Sequence, residues 1–335
     1  MIQRLKKIKI NKSGFFISLV GVIIFIEILI ASPQVLEKED IDSAEPSSAL
    51  KEASDTGTAK GIEQKMQGVH FVENGKNDGK SEKGWELFAR EANGSTEGQW
   101  VLKTVKVQFY NNNLSNYTVT GDHGEVDSIT KDILITGHVV TTSSNGYSFK
   151  TNTIRYMAKQ KLMTSVDQVL MLGPADSSGP GFDLTGEKLL VDMAKGKMSI
   201  LDQVVAHKVI NAKPFKLTSV RADFSNKNQE ATFSGHVQMR LGTMQALAPF
   251  ALFQYSNQRK TLEKIIMNDD VEFTDIDKKG YCKEIEFDLI NNQMTMRGQP
   301  KVLQGEDEIK GHEIVFLDGG KKVKINKAPQ QGIKK

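Results

Sequence analysis

Residues Ala231–Leu241 read ATFSGHVQMRL. Ala231, Phe233, Gly235, Val237, Met239 and Leu241 are apolar or glycine, and the positions between them are polar. A period of two sends alternate side chains to opposite faces of an extended chain, so this stretch is a strand with one apolar and one wet face. Its centre recurs. A Gly or Asp, any residue, then Val stands at Gly137-His138-Val139, Asp167-Gln168-Val169, Asp202-Gln203-Val204, Gly235-His236-Val237 and Asp269-Asp270-Val271, with a degenerate copy at Gly298-Gln299-Pro300. The copies start roughly 30–35 residues apart, enough for two or three strands and their turns, which predicts a stacked all-β architecture built by repetition.

The chain has 335 residues, 39% apolar and 25% charged, with a net charge of +3. That is length for two domains, an ordinary foldable composition, and too even a balance to point to nucleic acid. Residues 1–14 carry Arg4, Lys6, Lys7, Lys9 and Lys12 without an acidic residue. The apolar run Phe15–Ala31 follows, interrupted only by Ser18 and Glu27. At ~1.5 Å per residue it reaches about 26 Å, so residues 15–32 are expected to form one short transmembrane helix. The basic flank keeps residues 1–14 in the cytoplasm and exports the rest. The run is longer than a signal-peptide core, and Leu29 and Ala31 make a poor cleavage site, which favours an uncleaved anchor. An ionisable residue in a span is a candidate partner contact; for Glu27 the plain alternative is that it reaches the headgroups from the last turn.

Residues 33–65 contain eight acidic residues, four lysines and no aromatic, and read as a flexible acidic stalk. Order is expected from Met66. Val69 and Phe71 alternate with His70 and Val72, NGKNDGKSEKG makes a turn, and Trp85, Leu87 and Ala89 return, which is a hairpin by pattern. Further strands are expected at Val101–Tyr110 and Tyr117–Asp127, and around the Asn145-Gly146 turn. GPADSSGPG is a loop, and no capped amphipathic helix is evident. Asn211-Ala212-Lys213-Pro214 breaks the pattern and suggests a boundary, giving domains over 66–212 and 213–327 and a disordered tail over 328–335.

Met244–Tyr255 (MQALAPFALFQY) looks apolar on both faces, as a doubly buried strand or one lining a groove or a docking surface. Pro249 lacks a ladder donor and places it at an edge or a bulge. Cys282, the only cysteine, excludes an internal disulfide and is expected to point outward with Glu284, Glu286 and Asp288. In the last strand Val323 and Ile325 alternate with Lys322 and Lys324, a pattern that blunts an exposed edge.

His70, His123, His138, His207, His236 and His312 are scattered, and His138 and His236 occupy equivalent repeat positions, so repetition explains them better than metal binding. No nucleophile elbow, phosphate loop or paired-carboxylate motif stands in a fitting context. Nothing in these residues argues for an enzyme, a metal or a cofactor.

The ordered motifs resemble the lipopolysaccharide-transport families LptC and LptA, of the OstA-like β-jellyroll superfamily, joined in one chain. The LptC resemblance rests on the anchor and stalk, Trp85-Glu86-Leu87-Phe88-Ala89, Val107-Gln108-Phe109-Tyr110, Gly124-Glu125-Val126-Asp127, Gly137-His138-Val139 and Phe149-Lys150-Thr151-Asn152 with Ile154-Arg155-Tyr156. The LptA resemblance rests on Arg221-Ala222-Asp223, Phe233-Ser234-Gly235-His236-Val237, Gly298-Gln299-Pro300, Val302-Leu303-Gln304-Gly305 and Ile309-Lys310-Gly311. It implies two V-shaped antiparallel jellyrolls behind an inner-membrane anchor, the bulk of the chain in the periplasm, and no cofactor. It also implies a cargo, lipopolysaccharide, received from an inner-membrane ABC transporter and passed on toward the outer membrane. Acyl chains buried in an apolar trough gain about 0.8 kcal/mol per CH₂. The candidate lining is Phe149, Phe233, Val237, Met239, Val271, Phe273, Phe287 and Phe316, each of which is equally readable as plain core. Edge-strand contacts to a further LptA-like or LptD-like domain are expected through Val69, Phe71, Val323 and Ile325. The alternative from another class is a structural envelope scaffold of polymerising β-repeat modules without lipid cargo.

Overall fold

A computed structural model describes residues 64–77, 80–111, 114–176, 179–225, 229–256 and 261–326, all within one compact unit. The expected tail, anchor and stalk, with Glu27, lie outside the described residues, as does the 328–335 tail. Among the described residues no helix is long and apolar enough to cross a membrane, and the only helical element is a single 3-10 turn at Asp318–Gly320.

The rest is one antiparallel meander. It opens with β1 (Gln64–Asn77), β2 (Lys80–Gly94), β3 (Gln99–Asn111), β4 (Leu114–Asp127), β5 (Ile133–Ser143) and β6 (Ser148–Met157). Two levels then break in the middle: β7 (Leu162–Ser165) with β8 (Val169–Leu172), and β9 (Asp183–Gly186) with β10 (Lys188–Asp192). Unbroken strands resume in β11 (Lys197–Ile210), β12 (Lys213–Ser225), β13 (Glu230–Leu241), β14 (Met244–Tyr255), β15 (Leu262–Asp275) and β16 (Lys278–Asp288). Broken levels return as β17 (Gln293–Arg297) with β18 (Lys301–Gln304) and β19 (Asp307–Lys310) with β20 (Glu313–Leu317), and β21 (Lys322–Asn326) ends the sheet. β6 pairs with both β7 and β8, and β11 with both β10 and β9.

The recurring tripeptide turns out to be a bend. Gly137-His138, Asp202-Gln203, Gly235-His236, Asp269-Asp270 and Gly298-Gln299 all have positive φ at both residues. Gly, Asp and His tolerate this region better than most side chains, which accounts for the residue types that repeat. At Gly235 (φ 80°) a Cβ would also stand 2.8 Å from the Cβ of Val220. In β5, β11, β13 and β15 the pair forms a bulge: two residues face one on the following strand, which is Asn152, Val220, Pro249 or Lys283. Bulges bend strands and sharpen their twist, so aligned bulges crease the whole sheet. The Asp167-Gln168 copy falls in the gap between β7 and β8 and lacks the positive φ.

The crease corrects two expectations. A single residue opposite a bulge shifts its strand by one position, and a one-residue slip exchanges the faces. In β14, Ala246 and Ala248 are buried before Pro249, and Ala251 and Phe253 after it. The strand alternates throughout, with Leu247 at 44% exposure, and only its change of phase made both faces look apolar. Pro249 does sit at a bulge, between the register positions of Leu247 and Phe250. In β16, Gly280 and Cys282 are buried before Lys283, and Ile285 and Phe287 after it. Cys282 therefore faces inward, on the face opposite to Glu284 and Glu286. A third correction concerns NGKNDGKSEKG, whose backbone continues the β1–β2 ladder as far as Asn77 opposite Lys80 instead of turning early.

At residues 211–214 the sheet does not stop. β11 and β12 pair over their length, with Ile210 opposite Lys213, and Asn211 and Ala212 supply the two positive-φ residues of a tight hairpin. The sheet curls back on itself, because side chains meet from strands that are not neighbours: Phe109 of β3 lies 4.6 Å (ring centroids) from Tyr156 of β6, and Phe273 of β15 lies 6.3 Å from Phe316 of β20. The result is one apolar core running the length of the meander. Among the described residues β1 pairs only with β2 and β21 only with β20, so both ends of the sheet are open edges.

Candidate functional site

Every one of the eight candidate lining residues lies on the inner face. Phe149, Phe233, Val237, Met239, Val271, Phe273, Phe287 and Phe316 are each at most 5% exposed, covered by other side chains of the same chain. The interior brings five of them together in two groups, and Val237, Met239 and Val271 belong to neither. In the first, Phe149 stacks with Tyr147, Tyr147 meets Phe224, Phe224 meets Phe233, and Phe233 lies 4.7 Å from Phe253, which touches Phe182 and Phe215. In the second, Phe273, Phe287 and Phe316 line a cavity of about 190 Å³ with Leu241, Met244 and Met294, with Asp275 and Lys278 also on its wall.

A larger cavity, about 230 Å³, lies beside the aromatic chain. Residues from both sides of the β11–β12 hairpin form its wall: Tyr147, Met171 and Phe182 before it, Phe224 and Tyr255 after it. Lys208 and Asp176 also reach this wall. Their side chains are only 2% and 5% exposed, and Lys208 Nζ stands 3.1 Å from Asp176 Oδ2. The same ammonium donates to the Pro180 carbonyl at 2.8 Å and lies 5.6 Å from the centre of the Phe182 ring. Burial pushes the Tyr255 phenol well above its ordinary pKa, helped by the nearby Tyr147 and Asp176; burial also raises Tyr147. Both phenols stay protonated donors at any physiological pH.

Lys208 escaped the sequence reading although a signal was there. Val204, Ala206, Lys208 and Ile210 share one parity of β11, and all are buried, so a lysine occupies an apolar position. Asp176, on the loop between β8 and β9, carries no comparable signal.

The four edge candidates divide. Val69 is buried and Phe71 half-buried in β1, where Phe71 packs against Trp100, while Val323 and Ile325 are 42% and 43% exposed in β21. His138 and His236 sit at bulges, and His138 Nδ1 contacts Asp122 Oδ2 at 2.6 Å on the exposed side of the crease. Among the described residues no three His, Cys, Asp or Glu side chains converge as a metal set would. The interior offers apolar volume, with the buried Lys208–Asp176 pair on the wall of the larger of the two cavities.

Two family models match the chain in tandem. The family described as "Lipopolysaccharide-assembly, LptC-related" matches residues 35–209, and "LptA/(LptD N-terminal domain) LPS transport protein" matches residues 216–318. No curated protein matches the chain. Among solved structures, the chain is similar to LptH from Pseudomonas aeruginosa, described as the LptA homologous periplasmic component of the conserved lipopolysaccharide transport device. The identity is 16% and the TM-score 0.32, over 38% of this chain and 92% of LptH. With more than half of its length matched by the first of the two models, the chain belongs to the LptC-related lipopolysaccharide-assembly family, and an LptA/LptD-type segment follows within the same sheet.

Proposed function

We propose that this chain binds lipopolysaccharide in the periplasm and carries it away from the inner membrane. Residues 15–32 anchor it there by a single span, with Glu27 as a partner contact. An inner-membrane ABC transporter loads the LptC-like module over 66–212, the LptA-like module over 213–327 receives the cargo, and an open edge pairs with a further LptA-like or LptD-like domain. No step needs covalent chemistry, so we read the protein as a carrier and not as an enzyme. The observation that carries this reading is the tandem of an LptC-related and an LptA/LptD-type match along one unbroken antiparallel sheet with a common apolar face. Burying the chains of a lipid against that face gains about 0.8 kcal/mol per CH₂, and the exposed β21 offers a ladder for main-chain pairing.

The test is photocrosslinking in cells with a photoreactive residue at Phe149, Phe233 or Phe273. Lipopolysaccharide adducts at all three, lost when the ATP-driven extractor is inactivated, are the expected result. A scaffold without cargo is the second reading. It is favoured by the near-complete burial of the eight candidate residues, of which Phe149, Phe233, Val237, Met239 and Val271 line neither cavity and meet a guest only if the curled sheet parts. Adducts to neighbouring protein chains alone would establish it in place of transport.

A further inference from the structure

The Lys208–Asp176 pair stands in the larger cavity without a stability argument to explain it. A buried ion pair is replaced by well-packed apolar residues at no cost or with a gain in many proteins, because desolvation consumes its attraction. Here the surroundings are aromatic, and β11 already presents Val204, Ala206 and Ile210 on the same face. An apolar residue at 208 would continue that row. The pair instead puts charge where the 35–209 and 216–318 segments meet, on the wall of a cavity whose other polar residues are Asn145, Tyr147, Ser225, Gln229, Glu230 and Tyr255.

The chemistry of that focus is specific. An ammonium has three donors; one serves the Pro180 carbonyl and one faces Asp176. Tyr147 and Tyr255, on the same wall, each carry a phenol that can donate. The net charge of the buried pair is zero. An anionic guest would have to shed its hydration opposite an ion pair that is already neutral and on a wall that also carries Glu230, whereas an uncharged carbonyl or hydroxyl can be hydrogen-bonded there. Met171, Pro174, Phe182 and Phe224 give the wall an apolar side, and an engineered apolar cavity of only ~150 Å³ already holds a benzene-sized guest, so about 230 Å³ accommodates a short stretch of chain beside the polar groups.

We propose that this cavity is a recognition site for the uncharged polar root of an acyl chain, an ester or amide carbonyl or a hydroxyl, with Lys208, Tyr147 and Tyr255 as donors and Asp176 holding Lys208 in place. The inference rests on the transport reading and refines it: the cargo is sorted at the joint between the two segments by a polar feature as well as by apolar fit.

The test uses the full chain held in amphipol and a bound fluorescent acyl probe, displaced by glycerol monolaurate, dodecane or dodecyl phosphate. The ester is expected to compete better than either of the others by about tenfold or more, the effect of one hydrogen bond to a charged group. Lys208→Met alone leaves Asp176 buried without its cation and is at risk of misfolding, so the decisive variant is Lys208→Met with Asp176→Leu. It should fold, bind dodecane as before and lose the preference for the ester; Tyr255→Phe should lose part of it. Equal competition by all three compounds, a preference for the phosphate, or a preference unchanged in the double variant would each overturn the proposal. Lipopolysaccharide adducts at Phe273 without an ester preference would sink this site alone. An ester preference without any such adducts would sink the transport reading and leave the site standing.

Discussion

Cys282 shows how much a single side chain depends on what faces it. Burial pushes its thiol up to about 12, and the thiolate is the reactive form. The native protein at pH 8 should therefore resist maleimide labelling and react fully only after denaturation; rapid native labelling would contradict the inward orientation. Glu286 presents the opposite case. Hydrogen bonds from Lys264 and then Arg297 hold its carboxyl below the ordinary value, against a smaller opposing effect of burial. A depressed folded pKa contributes stability above the unfolded value, near 4.5, and loses it as the pH falls through the folded one. Glu286→Gln should cost about 1 kcal/mol at pH 7, since its partners are half-exposed. Denaturant titrations at a series of pH values should show the gap from the native protein closing below about 4.5; a gap that persists at pH 3 would assign the effect to packing.

At the level of the strand, the bulge decides which residues are core. The second residue of each positive-φ pair is the extra one that keeps Val139, Val204, Val237 and Val271 inside. Deleting His236 removes that residue from β13 and should send Val237 and Met239 to the outer face, or force a new register against β14. Loss of the β-sheet circular dichroism signal, or rapid proteolysis of the segment after 213, is the expected outcome. His236→Asn keeps the count and a side chain that tolerates positive φ, so it should remain folded. If the deletion behaves like the substitution, the bulge does not set the register.

Across the whole molecule, the meander has two ends and a continuous middle. Strands that contact neighbours on both sides open at a greater cost than strands with one neighbour. Hydrogen exchange should therefore be fastest in β1, β19 and β21, each with one neighbour, and slowest in β11–β14, with no fast-exchanging break at Asn211-Ala212 beyond the hairpin turn itself. Protection that falls sharply on both sides of residue 212 would instead describe two weakly joined halves. The same layout suits a carrier that must stay joined at the seam while offering its ends to others.

The sequence by itself determined the strands, since alternation is a local property of the chain and β13 alternates in the structure as it does in the letters. It also marked the bends: Gly, Asp and His hold most of the positive-φ positions, although the tripeptide by itself has the pattern of a strand centre and becomes a bulge only through its register against the next strand. The LptC-related and LptA-like motifs were legible in order for the same reason, being local signatures of those strands. Tertiary structure alone decided the phase of β14 and β16, because the residue that shifts each strand lies on its neighbour. It alone joined Lys208 to Asp176 and closed a cavity from segments before and after the hairpin, because a contact between distant parts of the chain leaves no period in either of them.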